Sequence, residues 1–148
     1  MKKIIITGGL GHIGSYLIRK ILKEKKHTHI IIIDNLSSQR LFSLFNLKKN
    51  GNKISFYDFD ITKKNITQIA QKSQMIIHLA AATDAERSLG NEKEYLENNL
   101  NGTKKVIEYA KKFNVPLIFP SSTSVYGKMK KNDILKKDDL EKLFPQSP

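Results

Sequence analysis

Glycines at 8, 11 and 14 and a carboxylate at 34 are the residues of this chain whose spacing most directly implies chemistry. Gly8-Gly9-Leu10-Gly11-His12-Ile13-Gly14 follows an apolar run, Ile4-Ile5-Ile6, and precedes an amphipathic stretch. A G-x-x-G-x-x-G pattern between a strand and a helix makes a turn whose backbone can lie against a pyrophosphate. Gly8 lets the chain turn sharply off the strand, Gly11 lets backbone approach the phosphates, and Gly14 lets the helix pack closely. Amides at the helix start, those of His12, Ile13 and Gly14, then face the anion, where the helix dipole favours negative charge. Asp34 closes the next apolar run, twenty residues after Gly14. A carboxylate there accepts hydrogen bonds from adenosine ribose hydroxyls and repels a 2′-phosphate, so the expected cofactor is NAD rather than NADP. The plainer alternative is a tight turn with Asp34 capping a loop. Asp60-Ile61, at the end of a third apolar run, would lie near the adenine; its plainer alternative is a cap shared with Thr62.

Strands and helices must hold these residues in place. Short apolar runs alternate with amphipathic stretches, the pattern of βα units and a parallel sheet. Strands are expected at Lys3–Thr7, His29–Ile33, Ile54–Tyr57, Met75–Leu79 and Leu117–Pro120. A helix from about Ile13 to Lys25 is expected to turn Ile13, Leu17, Ile21 and Leu22 inward. Leu41–Leu47 reads as a short helix, and Thr62 as the cap of another reaching Gln71. A long helix should run from Asn91 to about Phe113, with Glu94 placed for a capping box. Its inward stripe is read as Tyr95, Leu96, Leu100, Thr103, Val106, Ile107, Ala110 and Phe113. Asn114 suits the left-handed closing position, and Pro116 blocks continuation. From Lys128 the chain is polar and lysine-rich, with one short helical stretch near Asp138–Leu143. The fold expected is α/β: a Rossmann-type doubly wound parallel sheet in three layers, reaching about five strands. Residues 1–148 form one domain without repeats or a linker.

Composition narrows the function classes. A chain of 148 residues with 39% apolar content can build one core, not two. No apolar run approaches the ~18 residues of a membrane span. Met1-Lys2-Lys3-Ile4-Ile5-Ile6 begins like a signal peptide, but Thr7-Gly8-Gly9 ends the apolar stretch after three residues. The absence of cysteine excludes a disulfide framework and thiolate metal sites and fits a reducing cytoplasm. Net charge is +12, and only Arg19, Arg40 and Arg87 of the 26 basic residues are arginine. The lysines fall as scattered pairs, such as Lys25-Lys26, Lys48-Lys49 and Lys111-Lys112, on what read as outer helix faces or helix ends. Base readout favours arginine, and no aromatics interleave a basic stripe, so a solvated surface is expected and no nucleic acid or membrane partner. The field could still gather anionic dinucleotides and sugar nucleotides.

Six segments together resemble the NAD-dependent epimerase/dehydratase family, the extended short-chain dehydrogenases. They are Thr7-Gly8-Gly9-x-Gly11-x-Ile13-Gly14-Ser15, Asp34-Asn35-Leu36-Ser37, Asp60-Ile61, His78-Leu79-Ala80-Ala81, Asn98-Asn99-Leu100-Asn101-Gly102-Thr103 and Ser121-Ser122-Thr123-Ser124-Val125-Tyr126-Gly127. The branch they look most like is that of the UDP-glucose 4-epimerases. The resemblance implies a homodimeric enzyme that uses NAD to oxidise and re-reduce a carbon of a nucleotide sugar. It adds Asn35, Leu79, Ala80 and Ala81 to the cofactor contacts, the alanines as small residues under which the cofactor lies close. Ser122 matches the active-site hydroxyl that hydrogen-bonds the reacting sugar oxygen. Asn99 matches the helix asparagine, for which the resemblance implies both catalytic and cofactor contacts. Its helical phase with Tyr95, Thr103 and Val106 suits bracing of the active-site backbone, or an amide satisfied locally at the core edge. His78 reads as a packed or hydrogen-bonded strand end, and no metal is expected. Where the dehydratase branch carries an Asp-Glu pair, this chain has Thr123 and Ser124, neither able to transfer protons near neutral pH. That favours epimerisation over dehydration.

The family's base is the tyrosine of a Tyr-x-x-x-Lys motif. Tyr16…Lys20 lies in the glycine-motif helix, and Tyr126…Lys130 begins four residues after Ser122 with Gly127 inside it; both read as accidental. The family's lead-in resembles Pro-x-Ser-Pro followed by the tyrosine, and this chain closes on Phe144-Pro145-Gln146-Ser147-Pro148. The resemblance therefore implies an N-terminal portion, inactive alone, with half of the family's dimer surface missing and Leu117, Ile118 and Phe119 on an exposed edge. A non-catalytic NAD-binding regulatory module and a dehydratase or reductase of the same family are the alternatives.

Overall fold

The structure is a computed structural model and describes residues 1–83 and 91–121. Five parallel strands form its sheet: β1 (Lys2–Thr7), β2 (Thr28–Asp34), β3 (Lys53–Asp58), β4 (Met75–His78) and β5 (Leu117–Ile118). Their order is β3-β2-β1-β4-β5, so the chain reverses its direction of winding between β1 and β4. That is the Rossmann-type doubly wound arrangement, with α1 (His12–Glu24) on one face and α2 (Glu92–Phe113) on the other.

The isoleucine run 30–33 makes both faces of β2. Ile30 and Ile32 join Ile6, Ile18, Leu22 and Ile77 under α1, whereas Ile31 and Ile33 join Ile5, Ile76, Val106 and Tyr109 under α2. Alternate side chains of a strand point to opposite faces, so an unbroken apolar run is what a doubly covered strand requires.

Helix phase follows expectation in part: Leu17, Ile21 and Leu22 of α1 and Val106, Ala110 and Phe113 of α2 pack inward as expected. Gly14, Ile18 and Leu22 are the buried residues of α1, while Ile13 is 67% exposed. Gly14 sets this phase by docking on the glycine turn. On α2 the buried residues are Gly102, Val106, Tyr109 and Ala110; Leu96, Leu100 and Ile107 face outward instead. Gly102 sets that phase, because a Cβ there would stand 3.1 Å from Ile61 Cδ1. Asn114 closes α2 in the left-handed region (φ 49°), as its type and place imply.

Two expected helices are only 3-10 turns. Leu41–Leu44 stops short because Arg19 Nη2 takes the Ser43 and Phe45 carbonyls at 3.1 and 3.2 Å, and Asn46 turns left-handed. Ile66–Gln68 replaces the helix from Thr62 to Gln71, since Thr62 is held in a turn by Asp60. The short stretch at 138–143 lies outside the described residues. In the described sheet β5 is an edge strand, with Ile118 and Phe119 exposed. Among the described residues no helix is long and apolar enough to cross a membrane.

Candidate functional site

The carboxyl ends of β1 and β4 flank the point where the winding reverses. The described residues singled out for cofactor binding lie at the strand ends of β1 to β4, in the loops that follow and in the first turn of α1, with Asn99 reaching in from α2. Gly8 leaves β1 with φ +65°, and a Cβ on it would sit 2.6 Å from Ala80 N and Leu79 C. The glycine turn and the end of β4 therefore touch backbone to backbone. A Cβ on Gly14 would stand 2.5 Å from Gly8 O and 2.7 Å from Gly9 Cα, so α1 rests on the turn itself. Gly9, which the spacing argument passed over, is equally constrained: its Cβ would meet Ile32 Cγ2 at 2.6 Å.

Gly11 differs. Its Cβ would meet only Gly8 O, at 3.3 Å, so space remains open above it. Ser15 N–H returns to Gly11 O at 2.9 Å. The preceding amides, of His12, Ile13 and Gly14, are the first-turn donors that a helix leaves without partners of its own. Open space, free donors and the positive end of a helix make a cradle for a pyrophosphate.

Asp34 faces this cradle from the end of β2, almost wholly buried. Its Oδ2 accepts the Leu10 amide and its Oδ1 the Leu36 amide, both at 3.0 Å. Each carboxylate oxygen keeps further acceptor capacity. The Asp34 carbonyl takes Phe59 N–H at 2.9 Å, tying the β2 and β3 ends together. Beyond it, Asn35 Oδ1 accepts Ser37 N–H at 3.1 Å, while Leu36 (φ 58°) and Gln39 (φ 53°) are left-handed. A leucine held there is strained, and strain of that kind gathers at ligand sites. Composition gave no warning of it. Ser43 Oγ donates to Leu10 O at 3.2 Å and closes the loop over the turn.

Asp60 is engaged locally. Its Oδ1 accepts the Thr62 amide (2.9 Å) and hydroxyl (2.7 Å), and Lys63 Nζ stands 3.5 Å from Oδ2. Burial pushes this carboxyl up, but the Thr62 hydrogen bonds and Lys63 outweigh it and hold it below the usual aspartate range. The cap shared with Thr62, set out above as the plainer alternative, is thus present; it leaves the adenine role open. Ile61 is buried against Gly102.

The floor of the site is pinned by a buried histidine. His78 Nδ1 lies 2.6 Å from Thr7 Oγ1, and Nε2 lies 3.0 Å from Thr103 Oγ1 on α2. Thr7 Oγ1 also accepts Ala80 N–H at 3.3 Å, and Phe119 stacks on the imidazole at 5.6 Å between centroids. Burial lowers the His78 pKa to about 4, so the ring is neutral. Both ring nitrogens are engaged by hydroxyls, which leaves neither for a metal. Thr7 and Thr103 both stand in the segments that carry the family resemblance, but their bonding to His78 arises only when the strands pair and α2 docks. Just beyond, Asn99 Oδ1 accepts Ala82 N–H at 2.7 Å and Asn99 Nδ2 donates to Ala82 O at 3.0 Å. This two-point clamp fixes the segment holding Leu79, Ala80 and Ala81, of which the two alanines leave the cradle floor low. Ser122, Thr123, Ser124 and Tyr126 lie outside the described residues.

Known proteins are similar in sequence and fold. The sequence profile of the NAD dependent epimerase/dehydratase family matches residues 4–148. A UDP-glucose 4-epimerase of Neisseria meningitidis serogroup B is 33% identical over 132 residues, covering 86% of this chain and 38% of that protein. Among solved structures, the UDP-Glc/GlcNAc 4-epimerase of Campylobacter jejuni superposes with a TM-score of 0.79 at 28% identity, over 95% of this chain and 43% of its own. The UDP-glucose 4-epimerase of Bifidobacterium longum, solved with NAD+ and UDP, gives 0.71 at 26% identity, over 92% of this chain and 42% of its own. The chain thus spans about two fifths of the length of these relatives.

Proposed function

The chain belongs to the NAD dependent epimerase/dehydratase family, and on that premise we propose that its 148 residues are the NAD-binding portion of a nucleotide-sugar epimerase. The observation that carries the reading is Asp34, held by the Leu10 and Leu36 amides beside the open glycine turn. Its remaining acceptor capacity suits the two ribose hydroxyls of the adenosine half, with Asn35 alongside. The first-turn amides of α1 receive the pyrophosphate. Asp60 and Ile61 border the adenine, and Leu79, Ala80 and Ala81 floor the nicotinamide side. A buried carboxylate next to a 2′-phosphate would set two anions together without a cation, so NADP is rejected.

Bound NAD supplies a hydride acceptor and donor for a sugar carbon. Asn99 fixes the 82 backbone, and Ser122 is assigned, by its match to the family's motif, the hydroxyl that serves the reacting sugar oxygen. Thr123 and Ser124 offer no group that transfers protons near neutral pH, which favours epimerisation over dehydration. Tyr16, 70% exposed on α1, is no candidate for the base. The isolated 148-residue chain is expected to bind NAD without turning over UDP-sugars.

Calorimetric titration tests the reading. NAD should bind at least about tenfold more tightly than NADP, and Asp34→Asn should bring the two within about threefold, through loss of one charge repulsion. Equal binding of both cofactors to the unaltered chain overturns it. UDP-glucose turnover by the isolated chain would overturn only the statement of inactivity.

A further inference from the structure

The edge of the sheet opposite the cradle gathers the lysines that look scattered along the chain. Lys2 and Lys3 open β1, and Lys53 opens β3, in register with His29 of β2. Lys23, Lys25 and Lys26 close α1 and lead into β2, with Lys48 and Lys49 in the neighbouring turn. Lys72 precedes β4, and Lys111 and Lys112 close α2. These are eleven of the seventeen lysines in the described residues, and all eleven are exposed. None of them is ion-paired among the described residues. Among the described residues only Glu24, already paired with Lys20, and Glu108 lie in the last turns of the helices that lead to this edge, while Asp34 and Asp58 close strands at the other.

The platform beneath these lysines is rigid. Asn52 Nδ2 donates to Lys25 O at 2.8 Å and its Oδ1 accepts Thr28 N–H at 2.9 Å, while Asn50 Nδ2 reaches Leu22 O at 3.2 Å. The field is concentrated enough to act on a neighbour: after burial, Lys53, Lys3 and the N-terminus all lower the pKa of His29.

We infer that this lysine edge is a docking face for an anionic lipid surface. The array is two-dimensional, spanning roughly 20 Å along the sheet and about 10 Å of helix on each side; it matches a plane of charge. It contains no arginine, whose planar fork recognises single phosphodiesters, and lysine ammonium groups act as point charges toward a diffuse field. Phe113 is packed on the core with Lys112 Nζ 5.6 Å from its ring centre, and the exposed Phe45 precedes Lys48-Lys49 in the chain, so one exposed aromatic, not a series, accompanies the lysines among the described residues. Docking by this edge points the cradle away from the lipid, so the site stays open to solvent. The inference is independent of what the cradle binds.

The test is co-sedimentation of the full 148-residue chain with vesicles of phosphatidylcholine alone or with about 30 mol% phosphatidylserine. Binding is expected only with the anionic lipid, and raising salt from about 0.1 M to about 0.5 M should abolish it. Lys26→Gln, Lys53→Gln and Lys111→Gln together should weaken it about 100-fold, at about fivefold per lysine. The control Lys64→Gln, Lys93→Gln and Lys104→Gln removes the same charge elsewhere and should change affinity no more than about twofold to threefold. Equal loss in both triple variants would make net charge, not this face, the cause and overturn the inference. So would absence of vesicle binding, or retention of duplex DNA but not of vesicles.

Discussion

The two ends of the sheet are built by opposite means. At the carboxyl end, backbone meets backbone: Gly8 against Ala80, Gly14 against Gly8 and Gly9, Asn99 against Ala82. Contacts there are fixed to tenths of an ångström, and few residue types satisfy any of them. At the amino end, long flexible side chains radiate from a fixed platform, and almost nothing depends on where each ammonium stands. One end holds a shape; the other holds a field. A shape is destroyed by a single methyl group, whereas a field is only diminished by the loss of one charge.

Two glycines, one at each end, put that contrast to its severest test. Gly8 (φ +65°) and Gly51 (φ +77°) are both left-handed, so alanine is strained at either. Only Gly8 adds a collision, at 2.6 Å with the backbone of residue 80, whereas nothing lies within 4 Å of a Cβ on Gly51. Gly8→Ala should therefore destabilise the fold by about 4 kcal/mol or more, and Gly51→Ala by only about 1–2 kcal/mol. Urea unfolding of both variants measures the difference. Similar losses would mean that the turn yields, and that the carboxyl end is no more exacting than the other.

The same contrast explains what could be read from the residues alone. Backbone demands are written in residue type, so the glycine spacing, Asp34 and the isoleucine run of β2 revealed the turn, the acidic strand end and the doubly covered sheet. The closing role of Asn114 was legible for the same reason. Helix phase was legible only in part: Ile13, Leu96 and Leu100 are apolar yet outward, because Gly14 and Gly102 chose which side could approach its neighbour. The left-handed Leu36 was not legible, since its conformation comes from the Asp34 carboxylate holding its amide. The lysine edge is written in the sequence only through the topology. In a βα fold every helix-to-strand junction returns to the same edge, and Lys25-Lys26, Lys48-Lys49, Lys72 and Lys111-Lys112 all stand at such junctions.

A histidine at the shaped end offers the next test. His78 is buried neutral with its pKa lowered from 6.5 to about 4, burial being the cause. Between those values the unfolded chain binds a proton that the folded chain does not, so stability falls as pH falls from 6.5 to about 4. The whole loss amounts to up to about 3 kcal/mol. His78→Gln, which can still bridge Thr7 and Thr103, should flatten this part of the stability–pH curve by one proton. Asp60 acts outside the window, since its carboxyl already titrates below the ordinary 3.8. Urea midpoints at the two ends of the window, for both proteins, give the answer. An unchanged slope in the variant would show that His78 is not the buried proton acceptor.

His29 supplies the counterpart at the lysine end, with the smallest expected effect and the sharpest distinction. Its pKa is also lowered, by burial first and then by Lys53, Lys3 and the N-terminus, while Nε2 lies 2.9 Å from Ser55 Oγ. Burial does not respond to salt, but exposed charges are screened by it. Raising the ionic strength should therefore move the His29 titration upward and leave that of His78 where it is, as followed by ring-proton NMR. Lys53→Gln at low salt should move His29 the same way. If both histidines shift together, the two ends share one long-range field and the contrast between shape and charge fails; if only His29 moves, each end is governed by its own physics.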